Sequence, residues 1–198
     1  NRCMTIPYYL DLPELELPFT IESKPYVQHP MDQMTPTGLG LGGINFQYRG
    51  VPTDWYESVK TYLDNKLTIP TYSLTLLNTM CNASSPWHSE GPSTFGRKCA
   101  LNFMIAGDYE RSYVQWASKG DTQPIETLES EGAWWDDEKK QVLAEHRMTK
   151  GKATIYNTMH WHRVFNFTGW NRMVISAAIR MDIEDVANLY DKGELFND

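Results

Sequence analysis

The spacing of hydrophobic positions changes near residue 71. Before that point Trp55, Val59, Tyr62 and Leu63 recur at helical spacing behind Thr53 and Asp54, either of which can cap, and they predict one helix. From Thr71 onward the period is that of strands: Thr71 to Leu77, Cys99 to Ala106, Ser112 to Ala117, Ala153 to Asn157, His162 to Phe167 and Arg172 to Arg180 are short β-prone runs. These runs predict a mainly β core at about residues 70–180, with the helix covering a sheet. The tail, about residues 182–192, reads as a terminal helix with Asp182 at its cap.

Two stretches do not fit this rhythm. Residues 1–50 are rich in Pro and Gly and predict an irregular segment, ending in the run Thr37 to Gly43. That run lacks both the Gly-Lys-Ser/Thr ending of a phosphate loop and the spacing of a dinucleotide fingerprint, so it reads as a loop. The acidic insertion from Gly120 to Arg147 contains Trp134-Trp135-Asp136-Asp137-Glu138 and is longer than a hairpin needs. It reads either as a lid over a pocket or as an aromatic-anchored surface loop with a short helix after Asp136.

At 198 residues, with 41% hydrophobic and 13% aromatic residues, the chain can bury the core of a single domain spanning 1–198. A net charge of -7 without a basic patch disfavours a nucleic-acid partner, because nothing offsets repulsion from phosphates. Cys3, Cys81 and Cys99 match neither a zinc-finger pair nor a CxxC motif and suggest free thiols in a reducing compartment. No apolar stretch approaches a membrane span or a leader, so a cytoplasmic protein without a membrane partner is expected. The acceptor triplets at Asn82 and Asn166 arise often by chance and are discounted.

Chemistry concentrates in two places. Trp87-His88-Ser89-Glu90 puts an imidazole and a carboxylate two residues apart, hence on one face of an extended backbone. Downstream, His160-Trp161-His162 supplies two more imidazoles at the same interval. Two His and one carboxylate, with other positions open, is the facial triad of non-haem ferrous oxygenases, whereas closed zinc sites prefer four protein ligands. Alternation along the last strand puts Arg172, Val174 and Ser176 on one face, where a guanidinium fork and a hydroxyl could clamp a carboxylate. A buried arginine in an apolar strand needs such an anionic partner.

In this order the motifs resemble those of the 2-oxoglutarate and Fe(II)-dependent oxygenase superfamily: His-x-Asp/Glu, a distal His, then Arg. The nearest match is the aspartyl/asparaginyl β-hydroxylase-like branch. There a proximal His is followed after nine residues by Arg, as His88 is by Arg97, and a distal His after ten, as His162 is by Arg172. The runs Arg97 to Asn102 and Gly151 to Thr158 are similar to the strands following the proximal motif and leading to the distal His; the resemblance spans roughly residues 70–180. It implies a double-stranded β-helix, or cupin-like jelly roll, in which His88, Glu90 and His162 hold Fe(II). It also implies 2-oxoglutarate as co-substrate with Arg172, Ser176, Arg97 and Asn102 as candidate binding residues. Dioxygen and a small-molecule or peptide substrate would be the further partners, and hydroxylation would release succinate and CO2. The residues alone allow His160 or His162 as the distal ligand; the pattern His-x-Val-x-Asn and the interval to Arg172 favour His162. His160 is then expected to make a supporting hydrogen bond. Rival readings are a cupin-like metalloprotein without oxygenase chemistry and a binding jelly roll.

Overall fold

The computed structural model describes residues 7–17, 46–50, 53–85, 87–90, 96–118, 133–136 and 140–197; for 46–50, 53–54, 90 and 133–136 the description covers the backbone only. The glycine run and Cys3 lie outside the described residues. In chain order the elements are β1 (Tyr9–Glu16), β2 (Phe46–Gly50), α1 (Thr53–Lys66), β3 (Tyr72–Thr79), β4 (Ala83–Ser84), β5 (Trp87–Glu90), β6 (Cys99–Ala106), β7 (Ser112–Ala117), β8 (Ala133–Asp136), β9 (Val142–His146), β10 (Lys152–Asn157), β11 (Trp161–Asn166), β12 (Arg172–Ile179) and α2 (Ile183–Asp191). One sheet runs β1-β10-β6-β12-β3-β2; the other runs β8-β5-β11-β7-β9, with β4 also paired to β11. Neighbouring strands are antiparallel, and the sheets form a jelly-roll sandwich.

The first sheet is buried on both faces. Its outer face packs Leu12, Leu76, Leu101, Phe103, Ile155, Ile175 and Ile179 against Val59 and Leu63 of α1 and Ile183 and Val186 of α2. The inner face sends Met104, Tyr156 and Val174 toward Val114, Trp116 and Val164 of the second sheet. Every residue of β12 is consequently buried, and the strand reads as a continuous apolar run broken only by Arg172 and Ser176.

Helix α1 carries the expected apolar stripe, with Val59 and Leu63 fully buried; the side chains of Thr53 and Asp54 lie outside the described residues. Other expectations are corrected. The segment read as irregular contributes β1 and β2, which pair with β10 and β3. The insertion from 120 to 147 contributes β8 and β9 to the second sheet, so Val142–His146 is a strand where a short helix was one alternative; residues 119–132 and 137–139 lie outside the described residues. Asp182 does occupy the N-cap of α2, but its side chain makes no cap hydrogen bond and accepts from Lys98 Nζ at 2.7 Å. Of the acceptor triplets, Asn166 is wholly buried and its amide donates to the carbonyls of Thr79, Met80 and Trp170, which leaves no room for a glycan. No helix among the described residues is long and apolar enough to cross a membrane.

Candidate metal and anion site

Strand pairing assembles the site. Antiparallel register sets His162 of β11 opposite His88 of β5, with ring centroids 4.1 Å apart and both side chains buried. The register is pinned nearby: Ser85 N–H donates to the Val164 carbonyl and Ser85 Oγ accepts from Val164 N–H, each at 2.9 Å. On the opposite face of β11, Arg163 stacks on Trp87 with its guanidinium carbon 4.3 Å from the ring centroid. The period-two alternation of a strand keeps Arg163 out of the His88–His162 face.

The turn into β11 fixes the tautomer of His162. Asn157 Oδ1 accepts from Met159 N–H at 3.1 Å, bending the chain so that the His160 carbonyl lies 2.9 Å from His162 Nδ1. Nδ1–H donates to that carbonyl, which leaves the Nε2 lone pair for an electrophile. Burial, followed by the neighbouring His88, holds the His162 pKa well below the ordinary histidine value, so the ring is neutral near pH 7. The His160 ring meets Tyr8 edge-on, centroids 5.4 Å apart, and is only half-buried. Its contribution to the site is the backbone carbonyl.

Glu90 closes β5 two residues beyond His88, opposite Ala133 of β8. Its side chain lies outside the described residues. Among the described residues no three His, Cys, Asp or Glu side chains converge as a metal cluster. The donor set therefore comprises two facing imidazoles, with the third member positioned only by strand alternation.

The two histidines open onto a cavity of about 40 Å³ between the sheets, lined by Arg97, Asn102, Tyr156, Thr158, Arg172 and Ser176 among others. The Arg172-Val174-Ser176 face expected from alternation is the face that meets it. Arg172 is 3% exposed, and burial lowers the pKa of its guanidinium. Its Nη2 donates to Met148 Sδ at 3.4 Å, and Tyr156 lines the same cavity; its Nε has no hydrogen-bond partner, and it forms no ion pair with a described carboxylate. The buried Thr158 hydroxyl also has none. Ser176 Oγ accepts from Arg97 Nη2 at 3.0 Å, and Asn102 Nδ2 donates to the Ala100 carbonyl at 2.8 Å.

A position behind Arg172 strongly favours glycine. Gly107 has φ +120, and a Cβ there would lie 2.8 Å from Met104 Cε and 3.1 Å from Arg172 Cα. Tyr156, Thr158 and Gly107 escaped sequence reasoning, although Tyr156 sits within the run noted before the distal histidine. Among the tryptophans flanking the motifs, Trp87 and Trp161 pack with Ala117 in a small core cluster, whereas Trp170 is 67% exposed.

No family model and no curated protein matches the chain. Solved structures with a similar backbone course include vicilin from hazelnut (Corylus avellana), with a TM-score of 0.40, 12% identity, and coverage of 73% of this chain and 30% of that one. The present chain thus spans under a third of the vicilin chain. An oxidoreductase of the 2OG-Fe(II) oxygenase family from Burkholderia pseudomallei gives a TM-score of 0.47 at 8% identity over 70% of each chain. The epimerase SnoN, in complex with Fe3+, alpha ketoglutarate and nogalamycin RO, gives 0.47 at 15% identity over 77% of this chain and 69% of that one.

Proposed function

We propose that the chain is a 2-oxoglutarate- and Fe(II)-dependent dioxygenase, a single oxygenase domain that hydroxylates a small-molecule or peptide substrate and releases succinate and CO2. The observation that carries this reading is the buried Arg172 guanidinium, unmatched by a described carboxylate and with its Nε unpartnered, on the cavity that His88 and His162 enter. A buried cation without a counter-ion is costly, and a ligand carboxylate would remove that cost. The two imidazoles suit a borderline metal, and Glu90 would complete a facial set with open positions.

In this reading His88, Glu90 and His162 hold the iron, and the His160 carbonyl keeps His162 in the tautomer that ligates. Arg172 grips the distal carboxylate of 2-oxoglutarate through its fork; Thr158 has a free hydroxyl to add, while Ser176, Arg97 and Asn102 line the remaining wall. Ferrous iron bound there supplies the redox chemistry by which dioxygen oxidises both co-substrate and substrate. The protein's contribution is to orient the co-substrate and keep water out. The intervals from His88 to Arg97 and from His162 to Arg172 support the aspartyl/asparaginyl β-hydroxylase-like branch. Free Cys81 and Cys99 support a cytoplasmic setting, and the acidic charge supports the absence of a nucleic-acid partner.

One observation favours a second reading. A cavity of about 40 Å³ is small beside ligand pockets, which run to about 300–1,000 Å³. Side chains must therefore move before a dicarboxylate enters, whereas a cupin-like metalloprotein acting on a smaller ligand needs less movement. Succinate formation from 2-oxoglutarate by the Fe(II)-loaded protein in air separates the two. Succinate above the metal-free control supports the oxygenase, and none at millimolar 2-oxoglutarate leaves the cupin-like account.

A further inference from the structure

The turn that fixes the His162 tautomer is itself built on the N-terminal segment. Asn157, the buried last residue of β10, spends both backbone and both side-chain polar groups on neighbouring stretches of chain. Its backbone N–H donates to the Tyr8 carbonyl at 2.9 Å, one step past the Tyr9–Tyr156 pair that begins the β1–β10 ladder. Its Nδ2 donates to the Pro7 carbonyl at 3.3 Å, and its backbone carbonyl accepts from Trp116 Nε1 of β7 at 3.1 Å. Oδ1 accepts from Met159 N–H at 3.1 Å, and the His160 carbonyl that follows accepts from His162 Nδ1–H at 2.9 Å.

The segment that supplies these carbonyls is anchored on both sides. Further along β1, Asp11 accepts from Thr154 Oγ1 of β10 at 2.8 Å and meets His146 Nε2 of β9, on the other sheet, at 3.0 Å. The Tyr9 ring covers His146 with centroids 4.0 Å apart. Tyr8 touches the turn twice, through its carbonyl on Asn157 and through its ring, which meets the His160 ring edge-on at 5.4 Å. The orientation of the Asn157 amide is not free either. A carbonyl faces one end and an N–H the other, so only Nδ2 toward Pro7 and Oδ1 toward Met159 satisfies both.

We infer that Asn157 is a positioning residue for His162, and that Pro7 and Tyr8 hold it in place, so that the N-terminal segment forms part of the metal site's scaffold. The inference rests on the reading of His162 as a metal ligand. A side-chain oxygen accepting from the N–H two residues on is a local turn device that competes with water, and Met159 is 36% exposed. Tying Nδ2 to the Pro7 carbonyl keeps the amide in the one rotamer whose Oδ1 meets Met159 N–H. The His160 carbonyl then stays on His162 Nδ1, and Nε2 stays unprotonated for a metal. Aspartate at 157 could accept but not donate, and alanine could do neither.

Two measurements on the full chain test this. In nitrogen–proton NMR without added iron, His162 of the parent should carry its proton on Nδ1. In Asn157→Ala that proton should exchange with solvent about fivefold faster or more, as expected for a lost hydrogen bond, and the Nε2–H tautomer should appear. Asn157→Ser, whose hydroxyl still accepts from Met159 N–H but does not reach Pro7, should fall between. Tyr8→Ala loosens the seat without touching the histidine pair and should speed exchange about two- to fivefold. In anaerobic titrations with Fe(II), Asn157→Ala should weaken metal binding about tenfold, the lower end of what loss of an outer partner costs, and Tyr8→Ala about two- to fivefold. A merely structural role would lower stability in chemical denaturation and move neither readout. Parent-like Nδ1–H exchange and iron affinity in a folded but less stable Asn157→Ala therefore overturn the inference. Should that variant not fold, parent-like values in both Asn157→Ser and Tyr8→Ala overturn it. If the parent itself binds no iron, the ligand reading of His162 falls, and the tautomer comparison alone decides whether Asn157 positions the ring.

Discussion

Replacing Arg172 with methionine should separate stability from function. Methionine occupies a similar length and removes a guanidinium that is 3% exposed, bonded to Met148 Sδ, and paired with no described carboxylate. Exchanging a buried ionic group for a well-packed apolar one is commonly neutral or stabilising by roughly 1–4 kcal/mol. The lost bond to Met148 Sδ offsets up to about 1 kcal/mol of that. The net expectation for Arg172→Met is a gain of roughly 0–3 kcal/mol, which for a chain of this size is a rise in Tm of about 0–10 °C. Co-substrate affinity should move the other way. Truncating one partner of a buried charge pair costs about 2–5 kcal/mol, or roughly 30-fold to several-thousand-fold in Kd. Arg172→Lys keeps the charge but loses the bidentate fork and should fall between. The assays are thermal unfolding of the protein without ligand and anaerobic titration of the Fe(II) protein, following the charge-transfer absorption that 2-oxoglutarate chelation produces. A Tm lowered by more than about 5 °C together with unchanged 2-oxoglutarate affinity would make Arg172 a structural residue and refute the clamp.

Other outcomes follow from the same geometry. His162→Ala should abolish iron binding at micromolar metal while His160→Ala largely keeps it, measured by metal content after anaerobic loading; equal loss in both would reverse the assignment. Glu90→Asp should retain iron, whereas Glu90→Ala should lose it, and parent-like affinity in the alanine variant would remove Glu90 from the ligand set. Gly107→Ala forces a Cβ against Met104 and the Arg172 backbone at φ +120 and should cost about 1–3 kcal/mol in chemical denaturation. Without metal, stability should fall as pH drops below about 6.5, because His146 and His162 have folded-state pKa values below the ordinary one. The unfolded chain protonates first, so stability is full above that pH. It declines toward the depressed folded values by up to about 1.4 kcal/mol per pH unit for each histidine. A flat profile between pH 7 and 5 would contradict their burial as neutral rings.

The strands legible in the sequence are those packed in the sandwich. β3, β6, β7, β10, β11 and β12 stand within one or two residues of the expected runs because burial selects apolar residues along most of their length. β1 and β9 were missed for the complementary reason. They are edge strands, largely exposed and carrying residues such as Asp11, Glu14 and Glu145, and in β1 the alternation of Leu10 and Leu12 goes out of phase with that of Leu15 and Leu17 at the irregularity after Leu12. The spacing of His88 and Glu90, and of Arg172, Val174 and Ser176, was readable because a strand's period of two is local. That His88 faces His162, that Tyr156 and Arg172 line one cavity, and that Asp11 and His146 meet across two sheets depend on register between strands distant in the chain. Pairing of that kind is decided by burial of whole faces when the sheets close on one another, and no local pattern encodes it.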